Sequence, residues 1–495
     1  MLTPGIMQIH AQHERTLDAT ESSAGTERGK DADHLPADGF LPALAEAVDG
    51  GLMGKRLQHA MFGEAGGRHR LERCRIERTK YRPGRRCTIG YRLAIRDRDD
   101  DALHEHFLTA HLFEPGASTA RFEKYRSGAW VPPRFGPPLL HLERMDMILW
   151  SFPNDRHLPA LPLLTDRRRL RNEIMPGLVE RHFGPDWSIV SLASALASYV
   201  HERRCSVRVE MKLRSSAGGV WAWRIFGKTA GDDSDSSLSE AASRYWQSRD
   251  GIDVGVHMPA PLGAWPNRRI VWQEAVAGTP LAEGRRGKLD EDDFRRAGAA
   301  VAGLHGCALD GARDAGLDGA LDRLRARAET IATWPAYRSR VTPIVDQLLA
   351  AASDLDRETR VAAHGDLHGR NILVEGQEIA LIDLDEAISG PPARDLGHFV
   401  AYTLAEQGRV GHGEDSIARS LASFVDGYRR AADWPIRTSE IAWHAAAALV
   451  TEKIFREVTL MQPGGKNHLA DLIELAERLS RGDGSPAGLD CHAER

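Results

Sequence analysis

The pattern of apolar and polar residues predicts a helical segment from Phe40 to about Gln58, then a part rich in β-structure, and finally a part made mainly of helices. Short apolar runs broken by polar turns predict strands within residues 74–95, 107–113 and 147–150. From Asp290 onward, and throughout the segment after Asp395, apolar residues recur at the i, i+3, i+4 spacing of helices with one buried face. The expected fold class is therefore α+β, with a β-rich part followed by a mainly helical part.

One polar hairpin lies within the helical part. Two apolar runs flank a Gly-containing turn at residues 375–378, which predicts two short antiparallel strands. Asp366 and Asn371 precede the first strand, and Asp383 ends the second, so the hairpin brings three oxygen-bearing side chains to one sheet edge. Mg²⁺ prefers a few hard oxygen ligands. Phosphoryl transfer needs that cation and one carboxylate that orients the acceptor hydroxyl.

The stretch HGDLHGRN, followed by IDLD, resembles the catalytic segment of the aminoglycoside phosphotransferase and choline kinase-like family. This resemblance implies a protein-kinase-like bilobal fold with a β-rich small lobe and a mainly helical large lobe. It also implies roles for six residues: a general base (Asp366), magnesium ligands (Asn371, Asp383 and Asp385), and support of the catalytic loop (His364 and Asp395). For Asp385, a structural hydrogen-bonding role is the alternative.

The activity implied by the resemblance is Mg²⁺-dependent transfer of the γ-phosphoryl group of a nucleotide to a hydroxyl group. The nucleotide is expected to be ATP, with GTP as the alternative. The acceptor is expected to be a small molecule of the sugar, aminoglycoside or amino-alcohol class. The sequence carries no pattern that identifies the acceptor further.

The β-rich part contains two similar segments, offset by about 117 to 122 residues. Five ordered matches carry this observation: Phe62-Gly63 with Phe183-Gly184, Tyr81-x3-Arg85-Arg86-Cys87 with Tyr199-x3-Arg203-Arg204-Cys205, the strand containing His111 with residues 221–228, Tyr125 with Tyr245, and Ile148-Leu149-Trp150 with Ile270-Val271-Trp272. We predict an internal duplication, with chance similarity as the alternative. The expected units are a disordered tail (1–35), a degenerate small-lobe-like repeat (36–165), the kinase small lobe (166–282) and the helical large lobe with the catalytic loop (283–495).

The two copies differ at the residues that would hold a nucleotide. In the second copy, Lys228 ends a strand and Glu240 lies in a helical pattern. Kinase-like folds hold the α- and β-phosphates with such a pair. The first copy has His111 and Ala120 instead, and a neutral histidine lacks the fixed charge of a lysine. We therefore expect the first copy to bind no nucleotide, and to pack on the kinase or to offer a surface for a substrate, a partner or a second copy of the chain.

Two further segments are expected to contact the nucleotide. The hairpin turn at residues 200–204 should cover the phosphates, but it contains no glycine. Arg203 and Arg204 are therefore candidate phosphate ligands, with exposed strand positions as the alternative. Gln273 and Glu274 end a strand that resembles the kinase hinge, which binds adenine through backbone hydrogen bonds.

Composition narrows the remaining functions. The chain has 495 residues, a net charge of −5 and 27% charged residues, so two to four units are expected and nothing indicates a nucleic-acid partner. No apolar run approaches the roughly 18 residues that span a bilayer, and the first 35 residues lack a secretory apolar region. The five dispersed cysteines fit free thiols. A cytoplasmic enzyme without a membrane partner is expected.

Two other functions are alternatives to a small-molecule kinase. A protein kinase is disfavoured because the chain lacks a glycine-rich loop and has HGD in place of HRD. A catalytically weak nucleotide-binding module is disfavoured because Lys228, Asp366, Asn371 and Asp383 are all present. Nucleotide-dependent turnover would separate this module from a kinase.

Overall fold

The structure is a computed structural model that describes residues 38–63, 67–231, 256–265, 269–284, 287–307, 313–410, 412–460 and 466–482. Two five-stranded antiparallel sheets come first in the chain, and a helical body with two smaller sheets follows. In this part of the chain, no helix is both long and apolar enough to cross a membrane.

The first sheet follows two helices, α1 (Leu44–Ala47) and α2 (Gly50–Phe62). Its strands are β1 (His69–Arg82), β2 (Arg86–Asp97), β3 (Ala102–Leu112), β4 (Leu139–Leu142) and β5 (Met147–Ser151). Helix α3 (Ser118–Arg126) connects β3 to β4. The strand order is β1-β2-β3-β5-β4, so the last two strands exchange places relative to chain order.

The second sheet repeats this plan. It follows α4 (Leu161–Leu164), α5 (Arg167–Arg169), a π-helical turn (Leu170–Ile174) and α6 (Met175–Phe183). Its strands are β6 (Trp187–Val200), β7 (Arg204–Ser215), β8 (Val220–Ala230), β10 (Pro261–Trp265) and β11 (Ile270–Glu274). Across this sheet the strand order is β6-β7-β8-β11-β10, so the fifth strand again lies between the third and the fourth. The predicted duplication of the sheet is therefore present in the strand topology.

Register and helix ends support the same conclusion. The first three strands have 14, 12 and 11 residues in both sheets. Cys87 lies opposite Leu112, and Cys205 lies opposite Thr229. The helix before each sheet ends at a Phe-Gly pair, where the glycine has a positive φ of 77° or 91°. Glycine is favoured there because L-residues with a side chain are strained at such angles.

One of the predicted matches is displaced by a residue. Ile148 lies opposite His111, whereas Val271, not Ile270, lies opposite Lys228. Successive residues of a strand point to opposite faces, so a one-residue shift moves Trp150 and Trp272 to different faces. Trp150 packs with Phe113 and Ile148, while Trp272 packs in the core of the second sheet.

The helical body contains α7 (Glu291–His305), α8 (Leu317–Ile331), α9 (Pro335–Ala351), α10 (Pro392–Val410), α11 (Glu414–Ala431), α12 (Thr438–Ala448), a π-helical segment (Leu449–Ile454), α13 (Phe455–Leu460) and α14 (Lys466–Arg481). Its small sheets contain β9 (Val256–His257), β12 (Thr279–Pro280), β14 (Ile372–Glu375) and β15 (Glu378–Leu381) in one, and β13 (Val361–Ala363) and β16 (Ile388–Gly390) in the other. The predicted α+β class, with a duplicated β-rich lobe ahead of a helical lobe, is confirmed.

The first sheet and the helical body share one apolar core. Tyr91 and Met147 of the first sheet belong to the same buried cluster as Phe294 and Phe399 of the helices. The second sheet buries its apolar face separately, against the helical segment that precedes it. The first copy is therefore packed into the kinase-like body, and its β1 lies against α13.

Candidate active site

The predicted polar hairpin forms from β14 and β15, which pair antiparallel from Ile372–Leu381 to Glu375–Glu378. Asn371 directly precedes β14, and Asp383 follows β15 by two residues. The Ile382 amide donates to the Asn371 carbonyl at 3.0 Å, so the two ends of the hairpin are held together. The sheet thus brings Asn371 and Asp383 to one edge, as their spacing predicted.

Lys228 joins the second sheet to this edge. Its Nζ lies 2.7 Å from Asp383 Oδ1 and 2.9 Å from Asp385 Oδ2. Burial raises the pKa of Asp383, but the charges of Lys228 and Arg204 outweigh it and hold that pKa well below its usual range. The pKa of Asp385 is raised to about 6, because burial and the charge of Asp383 both raise it and together outweigh the lowering effect of Lys228. The site therefore concentrates negative charge around one ammonium group.

Asp395 holds the loop that begins at His364 through hydrogen bonds to its backbone. Its carboxylate accepts hydrogen bonds from the backbone amides of His364 at 2.6 Å and Gly365 at 3.0 Å. It also lies 3.0 Å from Nε2 of the buried His305. Burial raises the pKa of Asp395, but its bond to His305 and that histidine's charge outweigh burial and keep the carboxyl ionised. These contacts agree with the supporting role expected for Asp395.

The glycine of HGD has a steric cause in this fold. Gly365 has a φ of +83°, and a Cβ built on it would lie 2.0 Å from the Glu386 carbonyl oxygen. Both features exclude a residue with a side chain, because the loop and the segment after Asp385 approach too closely. The arginine of the HRD sequence therefore has no room here.

The predicted base, Asp366, is half-buried, with its carboxylate on the loop between β13 and β14. The Asn371 side-chain amide donates to the Asp366 carbonyl at 3.0 Å, which leaves the Asn371 amide oxygen available as a ligand. His364 is fully buried, and its Nε2 lies 2.9 Å from the Ile382 carbonyl. His364 is thus placed as a scaffold between the loop and the end of β15.

The residues predicted to contact the nucleotide belong to two segments of the second sheet, the hairpin turn between β6 and β7 and the end of β11. Arg203 Nη2 lies 3.1 Å from Glu386 Oε1, and an Arg204 nitrogen lies 3.8 Å from Asp383 Oδ2, so the hairpin turn reaches the acidic loop. Gln273 and Glu274 end β11 and are half-buried and exposed, respectively. Glu240 lies outside the described residues.

A cluster that sequence reasoning missed adjoins Asp366. His398 Nε2 lies 3.8 Å from Asp366 Oδ1 and 2.8 Å from Glu452 Oε2, and the Tyr402 hydroxyl donates to the same Glu452 oxygen at 3.0 Å. His398 and Tyr402 are four residues apart on α10 and stack at 4.3 Å. Glu452 lies in the π-helical segment, a distortion often found at functional sites. The i, i+4 aromatic pair was the only signal in the sequence.

The His398–Glu452 pair gives a pH-dependent prediction. Burial lowers the pKa of His398, but the Glu452 charge outweighs it and raises that pKa to about 9. A raised histidine pKa stabilises the folded state fully below the unfolded value of about 6.5, and this stabilisation is lost as the pH rises through about 9. The free energy of unfolding should therefore fall between pH 7 and pH 10, and fall less in Glu452→Gln. Glu457→Gln, on the neighbouring helix, is the control. Parallel pH curves for wild type and Glu452→Gln, measured by urea unfolding, would contradict this.

The turn that covers the site is held by the first sheet. Glu202 has a φ of +59°, a strained angle for a residue with a side chain. Its amide donates to Asp155 Oδ2 at 2.9 Å, and its carboxylate contacts His111. His201 is buried, and its Nδ1 lies 2.8 Å from Thr109 Oγ1. His111 of the first copy thus holds the turn of the second copy.

This contact predicts an effect on nucleotide affinity. Glu202→Ala should raise the KM for ATP roughly threefold to tenfold, because a turn without its charge-assisted contact must be ordered on binding. The KM should be measured beside that of Glu210→Ala, which removes an exposed carboxylate paired with Arg208 on the same sheet. Equal KM values in the two variants would mean that the first sheet does not order the turn.

Residues 213–445 match the family model described as "APH: Phosphotransferase enzyme family". The resemblance carried by HGDLHGRN and IDLD is thereby confirmed, because both stretches lie within the matched residues.

Among curated proteins, a methylthioribose kinase of Geobacillus thermodenitrificans (strain NG80-2) is 29% identical over 156 residues, which are 28% of this chain and 38% of the relative. Similar solved structures include an aminoglycoside phosphotransferase with ADP and hygromycin B, at 12% identity and a TM-score of 0.41, covering 63% of this chain and 99% of that one. Another is a choline kinase from Cryptosporidium parvum Iowa II, at 10% identity and a TM-score of 0.42, covering 63% and 95%.

Proposed function

We propose that this chain is an Mg²⁺- and ATP-dependent kinase that transfers the γ-phosphoryl group to a hydroxyl group of a small molecule. One observation carries the proposal: Lys228 Nζ lies within 2.9 Å of both Asp383 and Asp385, although 155 residues separate Lys228 from Asp383. This contact supports the proposal because it joins the ammonium group that we assign to the phosphates to the carboxylates that we assign to the metal. The family match and the name of the methylthioribose kinase relative support a small-molecule acceptor.

The donor set fits Mg²⁺. Asp383 and Asp385 offer carboxylate oxygens, and Asn371 offers an amide oxygen whose nitrogen is already engaged with the loop. The described residues contain no group of three or more His, Cys, Asp or Glu side chains that could hold a metal ion. A site of two carboxylates and one amide suits a cation that takes its other ligands from phosphate and water. Mg²⁺ bound there would neutralise charge on the transferring phosphoryl group.

The side chains of this chain perform the remaining steps. Lys228 binds the α- and β-phosphates, with Arg203 and Arg204 as further phosphate ligands, since they reach Glu386 and Asp383 beside the candidate metal site. The hydroxyl oxygen of the acceptor attacks the γ-phosphorus in line with the leaving oxygen of ADP. Asp366 accepts the proton that this hydroxyl group loses. Asp395 keeps the loop in place through its two backbone hydrogen bonds.

The proposal is tested by ADP formation from ATP with a panel of small hydroxyl compounds. We expect acceptor-dependent ADP formation that requires Mg²⁺, is abolished by EDTA and falls strongly in Lys228→Met. Lys212→Met, on β7, serves as the control. Absence of any Mg²⁺-dependent nucleotide binding in wild type would refute the proposal.

A further inference from the structure

Arginine side chains from three separate parts of the chain converge beside the catalytic loop. They come from β1 of the first sheet, from the hairpin turn of the second sheet, and from helices α8 and α13 of the large lobe. We call them the arginine cluster: Arg78, Arg203, Arg323, Arg327 and Arg456.

The packing of these segments brings the cluster together. Strand β1 lies against α13, and α8 packs against α13 and the π-helical segment before it. The Arg327 guanidinium lies 3.8 Å above the Phe455 ring, which fixes α8 to the first residue of α13. At the end of β1, the ring of Tyr81 lies 6.2 Å from that of Trp334 at the start of α9. The first sheet thus packs against the large lobe where the arginines converge.

The charges of the cluster act on one another. Burial lowers the pKa of Arg78, and repulsion from Arg203, Arg456 and Arg204 lowers it further. Burial also lowers the pKa of Arg327, with Arg323 and Arg203 adding to the effect. Arg78 and Arg327 are both half-buried. Two guanidinium groups from different lobes therefore lie in a desolvated, positively charged environment.

The cluster lacks carboxylate partners of its own. Within the described ranges, Arg78, Arg323, Arg327 and Arg456 form no ion pair with a carboxylate, and Arg203 has one, to Glu386. Desolvated cations of like charge are costly unless a counter-charge is present. The charges of Glu202 and Glu452 favour the ionised forms of Arg78 and Arg327, but both carboxylates have other hydrogen-bond partners, since Glu202 binds His111 and Glu452 binds His398. A bound anion would supply the missing charge.

Apart from Arg203, which is a candidate phosphate ligand, the cluster connects to Asp366 through Glu452 and His398 and not through the Lys228 pair. Arg456 is four residues after Glu452, and Glu452 reaches Asp366 through His398 at 2.8 Å and 3.8 Å. Arg323 also acts electrostatically on Glu452. The phosphates are expected beside Lys228 and Asp383, so the side reached through His398 remains for the acceptor.

We propose that the acceptor is an anion: a small hydroxyl compound that also bears a phosphate or carboxylate group, which the arginine cluster binds while the hydroxyl faces Asp366. This inference rests on the proposed function. Guanidinium groups bind such oxyanions through paired hydrogen bonds. A cationic aminoglycoside or amino-alcohol would be repelled by the same cluster. Arg78 gives the first sheet a part in acceptor binding, although that sheet lacks a phosphate clamp.

The first test measures anion binding directly. Protein saturated with Mg²⁺ and the non-hydrolysable analogue AMP-PNP is titrated with sulfate at constant ionic strength, and the thermal midpoint is recorded. With the nucleotide site filled, wild type should show a saturable rise. Arg78→Gln and Arg456→Gln should need about tenfold more sulfate, because each loses a charge-assisted hydrogen bond to the anion. Arg70→Gln, an exposed position on the same strand, should behave as wild type.

The second test compares matched acceptors. ADP formation is measured with ribose and ribose 5-phosphate, with glucose and gluconate, and with choline as a cation. The anionic member of a pair should have the lower KM, and Arg78→Gln should raise that KM about tenfold. The two pairs distinguish a phosphate from a carboxylate group.

Two results would overturn the inference. One is a sulfate effect that is identical in wild type, Arg78→Gln and Arg456→Gln, because the stabilisation would then be a general salt effect. The other is preferred turnover of a neutral or cationic acceptor that is insensitive to both substitutions. Failure of AMP-PNP with Mg²⁺ to stabilise wild type would instead refute the proposed function, and sulfate titration without nucleotide would still test the cluster.

Discussion

Replacing Asp366 by asparagine should lower kcat about 10²- to 10⁴-fold, a rise of about 3–5 kcal/mol in the barrier. Asparagine has the same shape but cannot accept the hydroxyl proton. The loop should keep its conformation, because Asn371 donates to the backbone carbonyl of residue 366 rather than to its side chain. The dissociation constant of Mg²⁺–nucleotide should hardly change.

The measurement that isolates this role is a comparison of single-turnover rates with nucleotide affinity. Asp318→Asn is a suitable control, because Asp318 is an exposed residue of α8 whose carboxylate pairs with Arg357. Normal turnover of Asp366→Asn on the true acceptor would remove Asp366 from the role of base. A parallel loss of nucleotide affinity would indicate instead that the substitution disturbs the metal ligands.

The hairpin edge could be predicted because its geometry is local. Asn371 and Asp383 are joined by two short strands and one turn, so their spacing along the chain fixes their separation in space. The duplication was predictable for a related reason, since Cys87 and Cys205 mark equivalent positions in strands of equal length. The displaced match at residues 148–150 shows what sequence similarity does not determine. Two similar apolar runs can pair with their neighbouring strands in registers that differ by one residue.

Contacts between distant segments could not be predicted from local pattern. Lys228 binds Asp383 and Asp385, which follow it by 155 and 157 residues, and no local pattern indicates that contact. The expected pairing of Lys228 with Glu240 stays a prediction, because Glu240 lies outside the described residues. Glu452 gave no signal because its approach to His398 depends on a π-helical segment, which has no distinctive sequence. The contact of His111 with Glu202 likewise depends on how two similar sheets pack together.

The hairpin turn at residues 200–204 is a further case in which contacts with a distant segment decide the conformation. From the sequence, the absence of glycine at residues 200–204 suggested that arginines contact phosphate directly. The structure adds that Glu202 takes the left-handed angle that a glycine would normally take, and that Asp155 and His111 hold it there. Contacts from the first sheet therefore stabilise a conformation that the turn's own residues do not favour.

Replacing Asp383 by alanine should abolish both Mg²⁺-dependent nucleotide binding and turnover, because the cation that carries the phosphates loses a carboxylate ligand. The folded state should persist, since Lys228 keeps Asp385 as a partner at 2.9 Å. Calorimetric titration of ATP at increasing Mg²⁺ concentrations would show the loss. Asp385→Asn is the informative comparison: if Asp385 is a metal ligand, this variant should need more Mg²⁺, and if its role is structural, its Mg²⁺ dependence should match wild type. An unchanged Mg²⁺ dependence in Asp383→Ala itself would exclude Asp383 from the metal site.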